Sequence, residues 1–284
     1  MATKLIISKI GTHVSIAGGI WNAPKRAHAL GCETFQCFTR PPQGGPAPKL
    51  DDYVSTQFEE EMKKYNMETF YIHAPYYINL ASLNSRIRYS SIGIIRDELE
   101  RGSMLGAKYV VTHIGSHTNQ TVKEGISKVL DAIKKILNGY NGKTGLLLEI
   151  SAGTGNIIGD TFKEIGDITK KVKHILGFAG ICFDTCHAFA SGYDFRTKVG
   201  VDNVLKELDK EIGLDYLKFV HVNDSKVDLG EKKDRHEHIG DGFIKKEGIS
   251  NILTTSVFSK VDWVLETEDS KRKKDVLILK KIRG

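Results

Sequence analysis

Apolar residues in this chain fall into short runs rich in Val, Ile, Leu and Phe, separated by longer stretches in which apolar positions recur every three or four residues. Short apolar runs of this kind are strands covered on both faces, and the longer stretches are amphipathic helices. Eight runs stand out: "KLIISKIGTHVSI", "ETFQCFT", "TFYIHA", "YVVTHIG", "GLLLEIS", "GICFDT", "LKFVHVND" and "VDWVLETE". Helical periodicity is predicted between them over residues 56–66, 91–105, 122–137, 162–173, 201–212 and 247–254. Strand and helix alternating in this way form βα units around a parallel sheet. The expected fold is therefore α/β, a single (β/α)8 TIM barrel. No Pro/Ser-rich linker divides the chain, so residues 1–284 are expected to form one domain.

Composition changes this picture little. The 284 residues are 40% hydrophobic and 27% charged, an ordinary globular profile. No stretch approaches the roughly 18 uncharged apolar residues of a membrane span, and the start carries no apolar run of signal-peptide length, so a cytoplasmic protein with no membrane partner is expected. The four cysteines, Cys32, Cys37, Cys182 and Cys186, are too few and scattered for a disulfide framework and read as buried thiols. A formal charge of +6, from 41 Lys and Arg against 35 Asp and Glu, suits an anionic partner such as nucleic acid.

The chemistry lies at the strand ends. His73 ends the third run, His113 the fourth, Glu149 the fifth, Asp184 the sixth, His221 the seventh and Glu266 the eighth. Their separations of 40, 36, 35, 37 and 45 residues each match one strand, one helix and two loops. Six consecutive strands thus deliver six ligand-type side chains to the carboxyl-terminal face, where the chemistry of such barrels resides. A single His or Glu at a strand end is ordinarily a hydrogen-bonded structural residue. Six in phase would crowd like charges in a low-dielectric mouth at a cost of several kcal/mol per ion. Divalent cations reverse that penalty.

Two loops add to the set. "FDTCHAFASGYD" carries Asp184 and His187 three residues apart across a strand-to-helix turn, and "KKDRHEHIG" carries Asp234 and His236 on one side of an extended segment. His187, Asp234 and His236 make a group of two imidazoles and one carboxylate, which leaves a coordination position open, as catalytic zinc requires. Glu237 and His238 are expected to face solvent or to support the ligands, and His28, His117 and His174, which have no matching phase, to lie on the surface or likewise behind the ligands.

At these residues the chain resembles the endonuclease IV family of apurinic/apyrimidinic endonucleases. The matching segments run over nearly the whole length: "GTHVSIAGG", "YIHAPYYINLAS", "VTHIGSH", "LLEISAGTG", "GICFDTCHAFASGYD", "HVNDSK", "DRHEHIGDG" and "LETE". The resemblance implies a DNA-repair hydrolase that cuts the phosphodiester 5′ to abasic sites in duplex DNA, leaves a 3′-hydroxyl and a 5′-deoxyribose phosphate, and clears blocked 3′ ends. It implies three zinc ions, with manganese able to occupy similar sites. His73, His113 and Glu149 would hold the first; Glu149, Asp184, His221 and Glu266 the second; and His187, Asp234 and His236 the third. Glu149 would bridge the first two ions, with a metal-activated water as nucleophile. A monomer acting on DNA in the cytoplasm or nucleoid is the family expectation.

The resemblance also places DNA contacts on the loops after the early strands. Tyr76 would enter the lesion, and Arg40, Gln43 and Lys226 would contact DNA. Here the chain departs from the common pattern F-T-x-N-x-R-x-W: it reads "FTRPPQGGPAP", with Pro41 for Asn, Gln43 for the intercalating Arg, and no Trp. A proline-rich loop is stiffer. After the bridging glutamate, Ile150 and Ser151 replace a frequent Asn-Thr pair. The alternative function is a metal-dependent sugar isomerase or epimerase on a related barrel, for which a third ion has little use.

Overall fold

A computed structural model describes residues 8–284. Eight strands are β1 (Ile10–His13), β2 (Thr34–Cys37), β3 (Tyr71–His73), β4 (Tyr109–Thr112), β5 (Gly145–Glu149), β6 (Phe178–Asp184), β7 (Leu217–His221) and β10 (Asp262–Leu265). They pair in parallel and close into a barrel in the order β1-β10-β7-β6-β5-β4-β3-β2. Two further strands, β8 (Asp224–Ser225) and β9 (His236–Glu237), form an antiparallel pair of their own. All eight expected strands are present. The first is shorter than its apolar run, whose "KLII" lies outside the described residues.

The helices are α1 (Ala23–Ala29), α2 (Asp52–Lys64), α3 (Ser85–Leu105), α4 (Val122–Leu137), α5 (Phe162–Val172), α6 (Thr185–Ala190), α7 (Lys198–Glu211), α8 (Lys245–Leu253) and α9 (Arg272–Arg283). Four of the six expected helices, α2, α3, α7 and α8, start earlier than their apolar periodicity, and for the first three capping explains why. Asp51 accepts from the Val54 N–H, Asn84 from Arg86 and Ile87, and Thr197 from Gly200. Each cap satisfies donors that a polar first turn would otherwise leave open. The helices α1, α6 and α9 were not expected. The first two are too short for a periodic signal, and the apolar side of α9 is diluted by "KRKKD".

Inside the barrel, Tyr71, Val111, Leu147, Cys182, Phe219 and Val264 form one buried cluster. They come from six successive strands, and the Tyr71 and Phe219 rings stack with centroids 3.9 Å apart. Two residues further along each of these segments stand His73, His113, Glu149, Asp184, His221 and Glu266. Side chains at i and i+2 of a strand share a face. The ligand-type layer therefore rests directly on an apolar floor, which closes the barrel against water from below and sets the height of every ligand. Cys182 belongs to that floor, where burial pushes its thiol up to about 12. All four cysteines are free and buried, as expected.

Candidate metal centre

The centre is organised around Glu149, whose side chain is wholly buried. Its Oε2 lies 3.1 Å from Nε2 of His73 and 3.6 Å from Nε2 of His113. Its Oε1 lies 2.8 Å from Nδ1 of His221 and 3.4 Å from Nδ1 of His187. One carboxylate thus faces two groups of imidazoles, one on each oxygen. Glu266 Oε2 stands 3.3 Å from the same His221 nitrogen, and Asp184 Oδ2 stands 4.0 Å from it. All six strand-end residues expected from sequence converge.

The two loop residues join them. Asp234 Oδ1 is 3.3 Å from His187 Nε2 and 3.2 Å from His236 Nε2, and the two Nε2 atoms are 3.4 Å apart. Donor atoms sharing a tetrahedral zinc at about 2.0–2.1 Å lie roughly 3.3 Å from one another. This trio meets that spacing on all three edges. The donor atoms of His73, His113 and Glu149, and those of Glu149, Asp184, His221 and Glu266, likewise lie within 4.8 Å of one another in each set. Nitrogen and carboxylate donors in such sets fit borderline metals such as zinc.

The outer nitrogens of the imidazoles are mostly spoken for. His73 Nδ1 lies 2.6 Å from the Ala74 carbonyl, and His187 Nδ1 lies 2.9 Å from the Ile150 carbonyl. Only an N–H can face a carbonyl, so each ring turns a bare Nε2 into the site. His113 Nδ1 has no hydrogen-bond partner among the described residues, so its ring orientation depends most on what the other nitrogen binds. Asp184 has two roles: Oδ1 caps α6 at the His187 N–H (2.7 Å), and Oδ2 accepts from the Asn223 amide (2.7 Å).

Charge within the site is mutually adjusted. Burial opposes ionisation of Glu149, yet His113, His221 and His187 hold its carboxyl well below the usual range. Burial likewise works against charge on His187, but Asp184 and Asp234 push it well above an ordinary histidine. His113 is brought down to about 4, mainly by burial. Protons on imidazoles can thus balance the carboxylates, and a cation entering the site takes over that work.

The β8 and β9 pair carries His236 to the mouth. Asp224 holds the following turn by accepting from Ser225, Gly240, Gly242 and Ile244 backbone N–H groups at 2.8–3.2 Å. At Gly242 a Cβ would meet the Ser225 carbonyl oxygen at 2.4 Å, so only glycine fits. Of the two alternatives for His238, the solvent-facing one is corrected: it is buried, and its Nδ1 is 2.6 Å from Asp275 Oδ2 on α9. It locks the loop to the barrel wall.

Sequence reasoning also missed Gln36 and Asn223, since a carboxamide is not a ligand type. The Gln36 amide contacts both His221 and Glu266, and Asn223 contacts Asp184 and the Glu266 N–H. His13, on β1 beside Gln36, completes the ring of inward side chains, with its pKa brought down to about 3 chiefly by burial.

The ligand groups face a cavity of about 400 Å3 whose rim includes Tyr76, Lys226, Arg235 and Arg272. A larger apolar cavity of about 1000 Å3 lies beside it, walled by Trp21, Leu30, Pro41 and Pro48, but no carboxylate and imidazole cluster faces it. The chemistry belongs to the smaller one. Tyr76 is 64% exposed and packs edge-on against Phe38. Gln43 is exposed, and so is Lys226, whose Nζ lies 3.4 Å from Glu268. Arg40 is the second correction: it is only 8% exposed, with its guanidinium engaged by Glu98 and Asp97 on α3. Its charge is used to fasten the Pro41–Pro48 loop and is not presented at the surface.

A closed parallel barrel with metal-ligand side chains around its carboxyl-terminal mouth defines the class. Residues 24–282 match the family model described as a xylose isomerase-like TIM barrel. The chain is 39% identical to the probable endonuclease 4 of Halothermothrix orenii, over 97% of this chain and 99% of that protein. It superposes on the crystal structure of endonuclease IV from Thermus thermophilus with a TM-score of 0.83 and 31% identity, covering 97% of each chain. A D-tagatose 3-epimerase-like protein, 22% identical with a TM-score of 0.73 and 96% of each chain covered, shares the fold alone. The chain belongs to the endonuclease IV family. No helix among the described residues is long and apolar enough to cross a membrane.

Proposed function

We propose that this protein is a zinc-dependent endonuclease of DNA repair that hydrolyses the phosphodiester 5′ to abasic sites in duplex DNA. The products are a 3′-hydroxyl and a 5′-deoxyribose phosphate, and the same site removes blocking groups from 3′ ends. The observation that carries the reading is Glu149, buried, with imidazoles from four segments ranged on its two oxygens. Family membership supplies the class of substrate.

In this reading His73, His113 and Glu149 hold one ion, Glu149, Asp184, His221 and Glu266 a second, and His187, Asp234 and His236 a third. Bound zinc supplies a nucleophile near neutral pH and neutralises charge on the phosphate and the leaving oxygen. The chain's own residues do the rest. Glu149 fixes the spacing of the first two ligand groups through its two oxygens. The apolar floor of Tyr71, Leu147, Cys182 and Phe219 keeps water from approaching from below. Lys226, Arg235 and Arg272 line the mouth with cations suited to the phosphates on either side of the lesion. Tyr76 and Gln43, exposed on adjacent loops, occupy the gap left by the missing base, which costs little to open because an abasic nucleotide neither stacks nor pairs. The protein acts as a monomer, and manganese can stand in at some positions.

The test is a duplex oligonucleotide with one stable abasic analogue, run beside an undamaged duplex on a denaturing gel. A single cut 5′ to the analogue, abolished by chelation and restored by zinc, is the expected result. Turnover of free ketoses without any DNA cleavage would instead favour the isomerase chemistry of the wider barrel class.

A further inference from the structure

Gln36 is fully buried on β2, in register with His13 on β1, and its carboxamide reaches across the barrel to two strands. Its Nε2 lies 2.7 Å from Glu266 Oε1 and 3.1 Å from His13 Nδ1, and its Oε1 lies 2.8 Å from His221 Nε2. An ionised carboxylate only accepts. The end of the amide facing Glu266 must therefore be the NH2 group, because the flipped arrangement sets two acceptor oxygens against each other where no water screens them.

That orientation has a consequence for the histidine. With Oε1 directed at His221, the nitrogen opposite must carry a hydrogen, so His221 is protonated on Nε2. Its Nδ1 then presents to the site, 2.8 Å from Glu149 Oε1 and 3.3 Å from Glu266 Oε2. The second N–H of the amide is directed at His13, so all three polar positions of the carboxamide are used.

We infer that Gln36 is the positioning residue of the second metal position: one carboxamide selects the Nε2–H form of His221 and holds Glu266 in the orientation that ligates the same ion. The inference rests on the proposed metal reading of Glu149, Asp184, His221 and Glu266. Gln36 itself does not ligate. It acts as outer partner to two ligands at once, and loss of one such partner typically weakens metal affinity about 10–100-fold.

Two variants test it. Gln36→Met keeps the length and loses all three hydrogen bonds, while Gln36→Glu keeps an acceptor for His221 but turns a carboxylate on Glu266. The zinc-loaded proteins, shown to be folded by circular dichroism, are titrated with a competing chelator. Both variants are expected to release one ion at a chelator concentration about tenfold or more below that for the wild type, while the remaining ions leave as in the wild type. In 1H–15N spectra of the zinc-loaded wild type, His221 should show an exchange-protected Nε2–H resonance that is lost in Gln36→Met. Release profiles that superimpose on the wild type, or a His221 protonated on Nδ1, would overturn the inference. The wild-type spectrum decides the tautomer even where a variant does not fold. Failure of the wild type to take up zinc would overturn the underlying metal reading, a result distinct from wild-type uptake with indifferent variants.

Discussion

Glu149 and His221, 72 residues apart on β5 and β7, the two strands that flank β6, bring Oε1 and Nδ1 to 2.8 Å with neither side chain open to solvent. Nothing local in the chain produces this contact. It follows from two strands of a closed barrel presenting the same face at the same height above the floor formed by Leu147 and Phe219.

Because Glu149 alone faces both groups of imidazoles, Glu149→Gln should affect two positions together. Zinc content should fall by more than one ion per chain, with the His187, Asp234 and His236 group still loaded, and cleavage should drop by on the order of 10³-fold. Metal analysis of the purified variant checks this. Loss of a single ion with normal cleavage would remove the bridging role.

Arg40 and Lys226 should separate cleanly. Arg40→Met leaves Glu98 buried without its cation, and loss of one partner of a buried pair costs about 3–5 kcal/mol. Its melting temperature should fall while the salt dependence of DNA binding stays the same. Lys226→Ala should leave melting unchanged and reduce the slope of log K against log salt by about 1. The opposite pattern would return Arg40 to the DNA surface.

Much of this site is legible in the sequence because a period of two fixes which residues share a face. His73, His113, Glu149, Asp184, His221 and Glu266 are found by position alone, each closing an apolar run. The loop residues of the site are less legible: Asp234 and His236 depend on a turn built by Asp224 and Gly242, whose contacts span 16 and 17 residues. Gln36 escapes notice because its value lies in the two partners it joins. Arg40 misleads because a cation in a loop at the barrel mouth looks the same in sequence whether it faces solvent or Glu98.

Glu33 gives a pH prediction. Burial opposes its charge, but the Arg283 guanidinium and the Ile10 N–H (3.0 Å) hold its carboxyl below the usual range. A folded pKa below the unfolded one stabilises the protein above the unfolded value, and that stability is lost as pH falls through the folded value. Arg283 lies on α9 and Ile10 on β1, so the pair joins the chain's last helix to its first described strand. Glu33→Gln should lower stability by about 1–2 kcal/mol at pH 7, and the difference from the wild type should vanish at an acid pH below the folded pKa. Denaturant unfolding at the two pH values checks it, and a constant difference would point to packing.

Gly242→Ala places a methyl group against the Ser225 carbonyl and the Asp224 carboxylate. The turn must shift, so stability should drop by about 2 kcal/mol and the His187, Asp234 and His236 position should bind zinc more weakly. Thermal unfolding read together with zinc titration distinguishes this from a silent substitution.

The most direct test of the whole account is anomalous scattering at the zinc edge from crystals of zinc-loaded protein. The account predicts three peaks per chain, two of them flanking the Glu149 carboxylate and the third among His187, Asp234 and His236. Crystals without a peak beside Glu149, grown from protein that cleaves abasic duplex, would contradict it.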